Sequence, residues 1–153
     1  TSKNCECIHF PRTDPAVIML VTHPSEDKCL LGHNKRFKGL RFSTIAGFVE
    51  PGESLEHAVA REVKEETGID VCDITYKASQ PWPFPSSLML GFRCSAIAGQ
   101  TVKVNTEELE SARWFSREEL NQSPEDQTFR LPRRDSIARR LLNEWLEEDS
   151  KPQ

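Results

Sequence analysis

The pattern of apolar and polar positions divides the chain into short strands around two helices. Ala16 to Thr22 (AVIMLVT) is an unbroken apolar run, as in a strand buried on both faces. After the polar turn His23–Asp27, Lys28 to Gly32 reads as a second strand, and Phe42 to Val49 is strand-like. Ser54 then opens a helix as its cap, although His57 stands where a capping box would place Glu. Val59 and Val63 give this helix a core-facing stripe, and Gly68 closes it. Val71 to Ser79 predicts a strand. Gln80 to Ser87, with three alternating prolines, predicts a rigid loop that is neither helix nor central strand. Leu88 to Ile97 is a further strand, Gly99 starts a turn, and Val102 to Val104 suggests a short pairing. Ala112 to Phe115 is a short strand, Ser116 to Leu120 a capped helical turn, and residues 123–129 a polar, mobile loop. In residues 136–147, Ile137, Leu141 and Trp145 recur at i, i+4 and i+8, so an amphipathic helix packs on the sheet with Arg139 and Arg140 on its wet side.

Composition narrows the class. With 153 residues and 37% hydrophobic content the chain is one folded domain with a single core. A net charge of −4 gives no global basic field for nucleic acid or an anionic membrane. A small polyphosphate would need local cations and bound metal, and the basic loop His33–Arg41 is a candidate rim. There is no run of 18 apolar residues, so no membrane span is expected. No signal peptide is visible, and Lys151-Pro152-Gln153 is not a peroxisomal SKL address. Five cysteines form no obvious pairs, and Cys29, Cys72 and Cys94 are expected as buried thiols. The expected setting is intracellular and reducing, cytoplasmic or peroxisomal. Cys5, Cys7 and His9 lie too close together for a tetrahedral site built from two separated pairs.

The candidate chemistry lies in Gly47–Ile69, GFVEPGESLEHAVAREVKEETGI. At 3.6 residues per turn, Glu62, Glu65 and Glu66 fall within roughly 100° of arc, with Glu53 ahead of the helix and Arg61 beside them. Hard divalent cations prefer such oxygen ligands. A solvated acidic face would tolerate the same residues at about 0.2–0.5 kcal/mol per like-charged pair. The spacing decides against it: Gly47, Glu53, Arg61-Glu62-Val63, Glu65-Glu66 and Gly68-Ile69 resemble the Nudix hydrolase box at every defining position. The seven identities other than the apolar Val63 and Ile69 have, at their fixed offsets, a chance on the order of 10⁻⁸ at ordinary residue frequencies.

Ser79–Ser87, SQPWPFPSS, is similar to the signature of the NADH pyrophosphatase branch of that superfamily. PRTDPAVI (Pro11–Ile18) and EELESARWF (Glu107–Phe115) also look like that branch, so the resemblance runs from Phe10 to about Trp145. It implies an α/β fold, the Nudix α/β/α sandwich with a mixed sheet between helices. The domain would span residues 16–149, with a lead-in at 1–15 and a tail at 150–153. The implied reaction is metal-dependent hydrolysis of the diphosphate of NADH or NAD to nicotinamide mononucleotide and AMP, with removal of NAD caps from RNA 5′ ends as a related activity. Mg²⁺ or Mn²⁺ would be held by Glu62, Glu65, Glu66 and Glu108, oriented by Arg61 and Glu53, with Glu66 or Glu108 as the proton acceptor. Phe48 would stack on the nicotinamide, Gln80 and Ser87 would bond its amide or ribose, and Trp82 would stiffen the wall. Phe10 would reach the ligand of a second copy in a homodimer. The branch carries a zinc ribbon ahead of this domain. Cys5 is its candidate remnant here, which leaves zinc doubtful for this chain. Two other readings are weighed: hydrolysis of ADP-ribose or another nucleoside diphosphate derivative, and a non-catalytic nucleotide-binding module. Retention of every box carboxylate argues against the second.

Overall fold

A computed structural model describes residues 8, 10–36, 39–122 and 129–148. The expectations for Cys5, Cys7 and His9, for residues 123–128 and for the tail lie outside the described residues. The elements follow in the order β1 (Asp14–Thr22), β2 (Lys28–Asn34), β3 (Ile45–Phe48), α1 (Leu55–Thr67), β4 (Val71–Trp82), β5 (Ser87–Ala96), β6 (Leu109–Ser116), α2 (Arg117–Asn121) and α3 (Ile137–Glu147). The strands form one mixed sheet in the order β4-β5-β1-β2-β6, with β3 joined to β1.

The apolar run of β1 is buried on both faces because helices cover both sides of the sheet. Val17, Met19 and Val21 pack with Val59 and Val63 of α1. Ile18 and Leu20, pointing the other way in the pleat, pack with Ile137, Leu141, Leu142 and Trp145 of α3. The result is the expected α/β/α sandwich. Arg140 is exposed, whereas Arg139 is half-buried and donates to the carbonyl of Pro132 at 3.1 Å.

Strand β5 runs parallel to β1 along its whole length. The opposite edge of β1 is shared: Ala16–Met19 pair with β3, while Val21 and Thr22 pair with β2. The two partners diverge, held at one point by reciprocal 2.8 Å hydrogen bonds between Gly32 and Ser43. Phe42–Val49 is therefore a bridge followed by a short strand, not one continuous strand.

Three further expectations are corrected. Gln80, Pro81 and Trp82 belong to β4, paired with Met89, Leu88 and Ser87. β4 is an edge strand, where a proline's missing donor costs little, so the rigid loop begins only after Trp82. Val102–Val104 forms no strand pair; Lys103 N–H instead donates to the carbonyl of Thr67 at the end of α1. Cys29 and Cys94 are buried, but Cys72 is exposed, on the same edge strand beside the register shift around Asp73.

Candidate active site

Helix α1 is set at both ends by the residues expected to cap it. Ser54 accepts the N–H of His57 at 3.2 Å, and Gly68 adopts φ 72° and donates to Lys64. This phase buries Val59, Glu62, Val63 and Glu66 together, so one helix face is apolar at one turn and carboxylate at the next. Gly47 in β3 is what admits the first carboxylate: a Cβ there would lie 1.9 Å from Cδ of Glu62. A side chain at that position would displace the Glu62 carboxylate.

Arg61 organises the approach. Its Nε and Nη2 take both oxygens of Glu53, at 2.8 and 2.9 Å, in a bidentate pair. Nη1 donates to Glu62 at 2.8 Å and to Glu65 at 3.2 Å, and Nη2 donates to the carbonyl of Phe48 at 2.9 Å. Glu53 also accepts the N–H of Glu50 at 3.1 Å. The guanidinium holds the Glu53 carboxyl down to about 2, and its carboxylate partners raise the pKa of Arg61 in return.

Glu62, Glu66 and Glu108 converge, each offering an oxygen within 4.8 Å of the others. Glu62 and Glu66 are buried, and Glu108 is exposed on the turn before β6. Burial, then the nearby charges of Glu108, Glu62 and Glu65, push Glu66 up to about 8. Glu62 is also raised, chiefly by burial and against the pull of Arg61. Among the described residues no cationic side chain pairs with Glu66 or Glu108. Two like charges 4 Å apart repel by about 4 kcal/mol at an effective dielectric of 20, so this cluster is matched to a divalent cation. Glu65, by contrast, has a half-exposed side chain turned to Arg61 and lies outside the converging group.

A cavity of about 460 Å³ opens from Glu66 into the gap between β2 and β3. Ile18, Thr44, Ala46 and Met89 line its floor, and Ser136, Ile137 and Ala138 at the start of α3 form the far wall. Trp82 lines it as well, packed edge-on against Phe84 with ring centroids 5.5 Å apart. Gln80 also lines it, yet its amide is engaged: Nε2 donates to the carbonyl of Asp135 and Oε1 accepts the N–H of Ile137, both at 2.8 Å. Ser87 lies at the first register position of β5, opposite Asp14 and Trp82, and is not among the lining residues. Phe48 and Phe10 are not core residues; they are 61% and 85% exposed. Arg41, the last residue of the basic loop read as a candidate rim, does line the cavity. The α3 wall and the lining cation Arg133 have as their only sequence trace the arginine-rich turn leading into α3.

The NUDIX domain profile matches residues 12–139. The chain belongs to the Nudix family. Within this family it is 49% identical over 141 residues to the NAD-capped RNA hydrolase NUDT12 of Homo sapiens, covering 90% of this chain and 30% of that protein. It is 47% identical over 142 residues to the NAD-capped RNA hydrolase NudC of Stutzerimonas stutzeri, covering 93% and 48%. The chain thus spans about a third to a half of the length of these relatives. Among solved structures, a Nudix hydrolase from Nitrosomonas europaea superposes with a TM-score of 0.72 at 24% identity, covering 96% of this chain and 77% of that one. That likeness shows that the sandwich is the Nudix fold. Among the described residues no helix is long and apolar enough to cross a membrane.

Proposed function

We propose that this Nudix domain hydrolyses the diphosphate of NADH or NAD to AMP and the nicotinamide mononucleotide, and cleaves the same bond at an NAD-capped RNA 5′ end. The observation that carries the reading is the convergence of Glu62 and Glu108 on Glu66, which lines a cavity large enough for one nucleoside half. The names of the relatives support the choice of substrate, as does the SQPWPFPSS segment, whose Gln80 and Trp82 line that cavity.

Water adds to one phosphorus, the bridging P–O bond breaks, and two monophosphates leave. Mg²⁺ or Mn²⁺ held by Glu62, Glu66 and Glu108 would neutralise the diphosphate and polarise the phosphorus. The chain's own residues arrange this. Gly47 lets Glu62 reach the backbone of β3, Arg61 fixes Glu62 and the carbonyl of Phe48, and Glu53 locks Arg61. The exposed ring of Phe48 is a stacking surface for a base beside that anchored carbonyl. Glu66 or Glu108 accepts the proton from water. Glu65 supports Arg61 and joins the metal only if its side chain turns.

Phe10, Phe48, Trp82 and Phe84 are exposed, and strand register places Phe48 and Trp82 at one end of the sheet. This end suits a homodimer in which Phe10 of one copy closes over the other's ligand. Buried free thiols at Cys29 and Cys94 suit a reducing cytoplasmic or peroxisomal setting.

A panel of NADH, NAD, NAD-capped RNA and ADP-ribose, each with Mg²⁺ or Mn²⁺, tests the reading. Nicotinamide dinucleotides and capped RNA are expected to be the best substrates. ADP-ribose turned over far faster than NADH would overturn the assignment, and binding without turnover of any of them would leave a nucleotide-binding module.

A further inference from the structure

Two of the three converging carboxylates sit on a helix, but Glu108 sits on an exposed turn, and something must hold that turn in register with α1. The chain does so through the end of the helix. Lys103 N–H donates to the carbonyl of Thr67 at 2.8 Å, and Asn105 N–H donates to the carbonyl of Glu66 at 2.9 Å. These are helix-end carbonyls with no partner inside the helix, so the segment after β5 both finishes α1 and docks on it. Asn105 then closes the turn. Its carbonyl accepts from Glu108 N–H at 3.2 Å and Leu109 N–H at 3.0 Å, and its side-chain Oδ1 accepts from Glu107 N–H at 3.0 Å. One residue is therefore bonded to the backbone of Glu66 on one side and to the backbone of Glu107 and Glu108 on the other.

We infer that Asn105 is a positioning residue that sets the spacing of Glu108 from Glu66 through this bridge. The inference rests on the reading of Glu108 as a metal ligand. The side chain fits the task because a short amide can bond the backbone two residues on and stabilise a turn, whereas alanine leaves the Glu107 N–H to solvent. Substitution keeps the main-chain bonds to Glu66, Glu108 and Leu109 and removes only the bond that fixes Glu107, so Glu62 and Glu66 keep their places while the turn that carries Glu108 loosens.

The test is titration with Mn²⁺ alone, followed by the electron paramagnetic resonance signal of the free ion, on the wild type and on Asn105→Ala, Asn105→Gln and Asn105→Asp. Ala, and Gln with its displaced amide, are expected to weaken binding about tenfold, as for loss of a group that orients a ligand. Asp keeps the acceptor and is expected to bind close to wild type. Using Gln beside Ala keeps the test valid if one variant does not fold. In a Glu108→Ala background, Asn105→Ala should cost nothing further, since its only route to the metal is gone. Equal Mn²⁺ affinity in wild type, Asn105→Ala and Asn105→Gln would overturn the inference, as would losses that add across the double variant. If Glu108→Ala alone leaves affinity unchanged, the metal-ligand reading fails together with the inference drawn from it.

Discussion

At the scale of single residues, the site is a contest between desolvation and countercharge, decided differently for each carboxylate. Glu53 has a bidentate arginine and stays ionised; Glu66 is buried without one and holds its proton up to about 8. In the metal-free protein the folded state therefore keeps a Glu66 proton that the unfolded chain releases near 4.5. Stability from this group is full below that lower value and is lost as pH rises towards 8, with no further loss above it. Metal-free Glu66→Gln should gain in Tm relative to wild type as pH is raised from about 5 to about 8.5, a difference that thermal melts in chelator would read. Mn²⁺ binding near neutral pH should release a proton, detectable by calorimetry in buffers of different ionisation enthalpy, and the release should fade at higher pH. Gly47→Ala should be far more damaging than an ordinary strand substitution, because its methyl occupies the place of the Glu62 carboxylate. We expect turnover to drop at least roughly 10²-fold, as for removal of a group that stabilises transition-state charge. Identity and spacing made Gly47, Glu53, Arg61, Glu62 and Glu66 legible in the sequence. The separation of Glu65 from the other two was not, because three positions within one arc say nothing about which carboxylate an arginine will claim.

At the scale of elements, caps and periodicity were the readable part. Ser54 and Gly68 bound α1, and Ile137, Leu141 and Trp145 face the core of α3 as their spacing requires. The Gln-Pro-Trp segment was misread because prolines forbid a central strand but not an edge strand, and strand order is a tertiary fact. Gln80, which the resemblance implies as a substrate ligand, has an amide that clips β4 to the first turn of α3, a tertiary contact that no local pattern records. Gln80→Ala removes two hydrogen bonds of about 1 kcal/mol each that fix the far wall of the cavity. KM for NADH should rise at least roughly fivefold and by more than kcat falls, as steady-state kinetics would show. A fall in kcat at unchanged KM would instead place Gln80 on the reacting groups.

At the scale of the whole molecule, function follows from how β1 is shared. Because β5 takes one edge and β2 and β3 divide the other, the sheet splits, and the split becomes a cavity beside α1 with the start of α3 as its far wall. The apolar run of β1 announces a strand covered on both faces, but nothing in it records that its edge serves two partners. The same arrangement brings Glu108, on the turn before β6, to the helical pair, so the site depends on the intact sandwich and not on the box alone. The most direct measurement is the initial rate of NADH cleavage as a function of Mn²⁺, for wild type and Glu66→Gln. The rate should climb from near zero to saturation in the wild type and lie at least roughly 10²-fold lower in the variant at saturating metal. Cleavage that is indifferent to chelator, or a variant that turns over NADH at the wild-type rate, would contradict a diphosphatase built on these carboxylates.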